Sequence, residues 1–532
     1  MMDGDDELHR RDSDEITLTE TAPLLTNERP RRPSHRQRLS VTSITSVHVP
    51  KIHSGRTIVN LLCIIILISS SSTGLIGIPE TRLLEDAACR QYYGVDGSTS
   101  GPIDEKHCKE NAIQNKVAFI LAIQSSADAA AGFLAAFPWG LAADRIGRKP
   151  VVALALAGSL LGILWAMTVV YFHNIFPVEL IWLGSLGNFL GGGSTVISSI
   201  VLSMIADSTT EEERAIAFMR VHVASLCGNL GAPALSSLLM AKVGPWPPIW
   251  IAFVVIALSG IAFLFVPETL KHQPGQEHGH EPESVEDEGE ATNLKSRVSH
   301  VIARFKESLS MLKSTSLILL LITCLGSPPV LYATLQFMAQ FLSKRYGIEL
   351  YKTGYIQSTY GAAQVVQALM ILPWVTRYVM KSTTPKKIRA PDEHHRDLSL
   401  ARWSYMFLAV GIFILGLAPT LPGFIFGLML MALGSGFNSL TRSLMSLYVD
   451  PEHRSRLFSL VAMAEVVGSV YAQPLLAALF ALGMKLGGGW IGLPYFGLSI
   501  LISAVATLLL FVKVPKEARS LATTHENGCS EE

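Results

Sequence analysis

Four ionisable side chains stand inside long apolar runs of this chain: Asp128 in QSSADAAAGF, His222 in MRVHVASL, Arg442 in NSLTRSLMS and Glu465 in VAMAEVVGS. A charge set in hydrocarbon costs several kcal/mol, so such groups persist where they carry an ion, bind a solute or pair with one another. A carboxylate whose access alternates between two faces could take up a proton on one side and release it on the other. Asp128 and Glu465 are the candidates for that chemistry; each could equally be a hydrogen-bonded carboxyl cementing two helices. His222 titrates in the useful range, yet its place near one end of its run suits an interfacial side chain as well. Arg442 could hold an anionic group of a solute, or it could snorkel to the inner headgroups with Asp450 close by. Gln124, Gln364 and Gln367 offer neutral hydrogen bonds to a solute.

The elements that must position these groups are membrane spans. The 532 residues are 49% hydrophobic and 16% charged, where soluble domains carry roughly a quarter of charged residues. Crossing the hydrocarbon core takes about 20 mostly apolar residues. Runs that qualify begin near Thr57, Val117, Pro150, Leu180, Arg214 and Pro248, and again near Ser316, Tyr355, Leu400, Pro422, Leu457 and Ile491. The expected fold is all-α and integral to the membrane, with twelve helices in two pseudo-symmetric bundles of six. The expected domains are a disordered cytoplasmic tail over 1–55, a first bundle over 56–270, a cytoplasmic linker over 271–313, a second bundle over 314–515 and a cytoplasmic tail over 516–532. Lys and Arg favour cytoplasmic loops. Arg145, Arg148 and Lys149 after the second span, and Arg377, Lys381, Lys386, Lys387, Arg389 and Arg396 after the eighth, put both termini on the cytoplasmic side. The loop after the first span also carries bases, offset there by acids such as Glu85, Asp86, Asp104 and Glu105.

Other classes of function fall away. Forty-three basic and 43 acidic residues cancel, which removes a general case for nucleic acid. Six cysteines lack the spacing of a zinc site, so no metal is expected. No nucleophile or phosphate-binding motif emerges, so neither an enzyme nor a cofactor is expected. The N-terminus lacks the leader of a cleavable signal peptide. Within the linker, Val298, Val301, Ile302, Phe305, Leu309 and Leu312 recur at helical spacing, as in an amphipathic helix on the inner leaflet or a cytosolic extension of the seventh span.

The chain repeats itself. LGGGSTVISSIVLSMIADSTTEEERAIAF before the fifth span aligns with LGSGFNSLTRSLMSLYVDPEHRSRLF before the eleventh, pairing Gly191 with Gly434, Gly193 with Gly436 and Asp207 with Asp450. After one gap Arg214 pairs with Arg454, Phe218 with Phe458 and Gly228 with Gly468. Parallel halves with a site between them describe machines that rock one bundle against the other.

Between the second and third spans lies GLAADRIGRKP, Gly140 to Pro150. Gly140 and Gly147 suit a tight turn, and Pro150 suits the first turn of a helix. This run closely resembles the loop signature of the major facilitator superfamily, with Ala142 in place of the usual leucine. The resemblance covers about residues 57–513. It implies a twelve-helix transporter in which helices 2 and 11, and 5 and 8, face each other across a cavity that helices 1, 4, 7 and 10 line. It implies that Asp144 latches onto the start of helix 11 near Arg456, where unpaired N–H groups and a positive dipole end attract it, while Arg148 bridges to Asp207. A plain positive-inside staple would account for Arg145, Arg148 and Lys149 but not for Asp144 or the glycines. Family patterns are eroded at Asn188, where drug/proton exporters carry arginine, and along Gly228, Ala232, Pro233 and Ser236, a small-residue version of the antiporter motif. Pro328 and Pro329 should break or bend the seventh span.

The expected first external loop, PETRLLEDAACRQYYG, resembles the branch holding proton-coupled folate and thymic cotransporters, tetracycline-resistance-like proteins and fungal members. Cys89 and Cys108 are the cysteines expected outside, either as a disulfide closing that loop or as two free thiols. Glu20, Leu24 and Leu25 form an acidic dileucine pattern that suggests a sorting adaptor and, in fungi, the vacuolar membrane ahead of the plasma membrane. Arg31-Arg32-Pro-Ser34 would suit a basophilic kinase. The expected protein is a monomeric secondary transporter of a small organic solute, driven by a proton gradient through Asp128, Glu465 or both; an uncoupled facilitator or a sensor of the same fold is the alternative.

Overall fold

The computed structural model describes residues 55–94, 104–209, 211–267, 314–381, 393–449 and 454–513, and everything described is helix or short connection. In a bilayer the backbone must satisfy its own hydrogen bonds, which long apolar helices do. The first half comprises α1 (Gly55–Tyr93), α2 (Asn111–Ile146), α3 (Arg148–Tyr171), α4 (Val178–Ser208), α5 (Glu211–Val243) and α6 (Trp246–Leu264). The second comprises α7 (Thr315–Leu335, continued by Phe337–Tyr346), α8 (Leu350–Val366, Gln367–Ile371 and Leu372–Met380), α9 (Glu393–Leu417), α10 (Leu421–Tyr448), α11 (Arg454–Leu486) and α12 (Gly488–Leu510). Eleven of these have the length and apolarity to cross a membrane. The twelfth, α8, is interrupted by the π-helical turn Gln367–Ile371, which precedes Pro373 and its missing N–H. The amphipathic stretch at 298–312 and the patterns at Glu20, Leu24, Leu25 and Ser34 lie outside the described residues.

Glycines set how closely the helices approach. Gly158 and Gly162 of α3 lie against Gly187 and Gly184 of α4, backbone to backbone. The second part of α4 begins only after Gly191, Gly192 and Gly193, all at positive φ, where a side chain would be strained. A Cβ on Gly191 would strike the backbone of Ala155 in α3, and one on its repeat partner Gly434 would lie 2.5 Å from the Ser404 carbonyl in α9. Likewise Gly228 packs against Leu67 and Ser71 of α1, and Gly468 against Leu325 and Pro328 of α7. Each glycine pair meets the equivalent helix in its own half, as a duplicated bundle requires.

The expected first external loop is corrected. Residues Pro79–Tyr93 continue α1 as helix, with Arg82–Glu85 and Arg90–Asp86 ion pairs one turn apart along it. Cys89 is joined to Cys108 by a disulfide. Glu85, only 2% exposed, accepts from Lys109 at 2.6 Å and from Gln114. Lys109 also reaches Glu105 at 3.0 Å, and Lys116 reaches Glu179 at 3.0 Å. Arg82, Arg90, Lys109 and Lys116 of this segment are thus each paired with an acid.

The halves meet along α2 against α11 and α5 against α8, contacts that exchange when the halves exchange. Ser126 donates to the Val470 carbonyl at 2.7 Å, Ser358 accepts from the Ala234 N–H at 2.9 Å, and Gln340 donates to the Gln114 carbonyl at 2.8 Å. Glu105 accepts from the Leu350 N–H at 3.0 Å, and Asn111 donates to the Met484 carbonyl at 3.3 Å. Among the described residues, the hydrogen bonds between halves run from the middle of the bundle to the end that carries the disulfide.

Gly354 of α8 makes the α5 contact possible, since a Cβ there would lie 2.5 Å from the Pro233 carbonyl oxygen. Gly354→Leu should wedge this end apart. A cysteine placed at Ser125, buried and hydrogen-bonded across the halves to Gln336, is expected to react faster with a membrane-impermeant maleimide in that background; unchanged labelling would contradict this packing.

Candidate functional site

A cavity of about 520 Å³ opens between the halves, walled mainly by α1–α4 and closed by Tyr332 and Gln336 of α7 and Ser469 of α11. Asp128 of α2 projects into it. The Asn188 side-chain N–H donates to Asp128 Oδ1 at 2.8 Å, and Gln124 Nε2 donates to Oδ2 at 3.2 Å and to Ser185 Oγ at 3.1 Å. Asn188 can reach because it ends the 3-10 stretch of α4, just before the glycine break. Neutral donors alone hold this carboxylate, an arrangement that suits both protonation states better than a fixed cation would.

Two residues of this site escaped the sequence reading. Glu80 lines the same cavity from α1, close enough for its charge and that of Asp128 to interact. It was assigned to a loop because its run was ended before Pro79; the signal was the unbroken helical spacing on either side of that proline. Gln336 sits at the break in α7, where its Oε1 accepts from Ser125 of α2 at 3.2 Å and from Gln473 of α11 at 2.6 Å. A glutamine in a polar neighbourhood carries no such signal in sequence.

The remaining candidates lie elsewhere. Arg442 and Glu465, read as independent, form one ion pair at 2.5 Å that ties α10 to α11, and neither lines the cavity. Gln364 donates to the Tyr360 hydroxyl at 2.9 Å, and Gln367 accepts from Ser435 Oγ at 2.9 Å within the π turn. His222 is exposed on α5. Gly326 and Gln336 interrupt α7, with Pro328 and Pro329 in the first turn after Gly326.

At the hinge, Arg148 forms an ion pair with Asp207, joining the start of α3 to the end of α4. Gly147 turns the chain at φ 99°, and Pro150 follows in the first turn of α3. Gly140 is corrected: it lies within α2 rather than in the turn, and a methyl group there would meet nothing within 4 Å. Arg145 is exposed. The side chains of Asp144 and Arg456, and residue Asp450, lie outside the described residues, as does the contact expected between Asp144 and α11.

Two six-helix halves around a shared cavity, with a charged hinge between the second and third helices, define a solute carrier. Residues 115–389 match the model of the Major Facilitator Superfamily, and the chain belongs to that family. It is 30% identical over 490 residues to the MFS efflux pump atnC of Emericella nidulans, covering 89% of this chain and 91% of that one. It is 27% identical to the MFS-type transporter aprT of Aspergillus flavus, covering 89% and 92%. Among solved structures, a D-xylose-proton symporter superposes with a TM-score of 0.60 at 14% identity, covering 87% of this chain and 98% of that one, a likeness of fold. The protein is a multi-pass membrane transporter and not an enzyme.

Removing Arg442 would leave Glu465 facing low dielectric alone. Because the pair is partly exposed, Arg442→Ala is expected to cost about 1 kcal/mol, read as a lower Tm in detergent. Adding Glu465→Gln should recover most of the loss; a double variant no more stable than the single one would contradict the pairing.

Proposed function

We propose that the protein exports a small organic solute by alternating access, driven by protons exchanged at Asp128. The observation that carries this reading is a carboxylate in the cavity between the halves, held by Asn188 and Gln124 without a cation. The efflux activity named for the atnC relative supports the outward direction. With both termini cytoplasmic, the end closed by Glu105, Gln340 and Asn111 faces away from the cytosol, and the described conformation receives solute from inside. Rocking α2 away from α11 and α5 away from α8 breaks those hydrogen bonds and brings the hinge ends together, where Asp144 latches α11 while Arg148 and Asp207 hold α3 to α4.

Within this reading Glu465 is a structural partner of Arg442 rather than a proton carrier. The dileucine pattern at Glu20, Leu24 and Leu25 favours the vacuolar membrane over the plasma membrane, where the carrier would load the solute into an acidic lumen. Asn188 at the arginine position separates it from ordinary drug/proton exporters, and the sequence around Cys89 keeps it near the folate, thymic and tetracycline-type branch.

The test is flux in proteoliposomes under an imposed pH gradient, across a panel of organic solutes. The wild type should require the gradient, Asp128→Asn should lower gradient-driven flux by about tenfold or more, and Glu465→Gln with Arg442→Ala should retain the dependence. Wild-type flux indifferent to the gradient would overturn coupling and favour a facilitator.

A further inference from the structure

The cavity has charge of one sign. Glu80 and Asp128 are the charged side chains that line it, and no Lys, Arg or His is among its lining residues. Arg442 of the second half is engaged by Glu465 and stands outside it. No hydrogen bond or ion pair reaches the Glu80 carboxylate from any described residue, and its side chain is partly exposed where it lines the cavity. Gln124 supplies a second unsatisfied acceptor: its Nε2 is committed to Asp128 and Ser185, which fixes the amide orientation, and its Oε1 is buried without a partner. A buried acceptor left without a donor is costly, and two carboxylates sharing one pocket repel each other until a cation or a proton enters. The rest of the wall is largely aliphatic, from Leu83, Ile120, Ile163 and Met167 among others.

We infer that this cavity binds an organic cation, a protonated amine with an apolar body, and that Glu80 is its counter-ion beside Asp128. The ammonium N–H groups satisfy the Glu80 carboxylate, while the hydrocarbon body lies against the aliphatic wall. An anionic solute finds no cation here, and a neutral one leaves the acceptors unpaired, so discrimination follows from the wall itself. The titratable groups facing the site are Glu80, Asp128 and Tyr332. Binding of the ammonium to a protonated Glu80 or Asp128 expels that proton to water, so cation and proton exchange on the same carboxylates without a separate relay. This inference rests on the transport reading above and adds the solute class to it.

The experiment is equilibrium dialysis of the purified full-length protein in detergent against three radiolabelled ligands of one shape: 4,4-diphenylbutylamine, 4,4-diphenylbutanol and 4,4-diphenylbutyrate. The amine should bind about tenfold or more tightly than either analogue. Glu80→Gln should remove that preference while leaving the alcohol's affinity unchanged, and Glu80→Asp should restore part of it. In the wild type the amine should weaken as pH is lowered from about 8 to about 5, while the alcohol does not. Should Glu80→Gln aggregate, the aspartate variant and the wild-type pH series decide alone. Equal binding of all three ligands, preference for the butyrate, or an amine affinity indifferent to pH would overturn the inference. Gradient-driven flux of a neutral solute without amine binding overturns it and leaves the transport reading standing; amine binding without any flux does the reverse.

Discussion

Charge in this protein is governed by a solvent that offers no hydrogen bonds. Hydrocarbon penalises each ionised group unless the chain supplies its partner, and the structure shows such partnering at Glu85 with Lys109 and Arg82 and at Arg442 with Glu465. These pairs hold helices together and need no solute. Against that background the unpaired carboxylate of Glu80, and Asp128 in its neutral cradle, stand apart, and both face the same cavity. Position within the pairing scheme, rather than residue type, separates architecture from the site.

The same economy explains the glycines. A bundle that must rock needs seams that slide and seams that do not. Gly158 and Gly162 against Gly184 and Gly187 bring α3 and α4 to backbone contact, and the Arg148–Asp207 pair locks the far end of the same two helices, so that they move as one body. The seam between halves is instead built from single hydrogen bonds such as Ser126 to Val470 and Gln340 to Gln114, each cheap to exchange for water.

Much of the fold was legible in sequence because hydrophobic length is a one-dimensional signal. Eleven spans stand where apolar runs begin, and the repeat could be traced through Gly191 and Gly434 or Gly228 and Gly468 because duplicated close contacts demand the same small residue twice. The candidate site was legible only in part. Asp128 and Asn188 were visible as a lone acid and as a departure from a family pattern. Glu80 was hidden because Pro79 and the acidic residues after it read as a loop, whereas disulfide and ion pairs beyond Tyr93 stabilise the extra helical turns. Arg442 and Glu465 were both named, but their pairing joins residues 23 positions apart on different helices, and spacing does not encode it. The turn ascribed to Gly140 belonged to Gly147 alone.

The π turn at Gln367–Ile371 makes the two copies unequal. It accommodates one residue more than the α turn it replaces, and one residue is about 100° of helix rotation. In α2, the counterpart of α8, the helix runs through Pro138 without such a turn. The described part of α8 beyond Ile371 is therefore twisted round relative to the end of α2. The two walls are copies related by rotation, and they end differently.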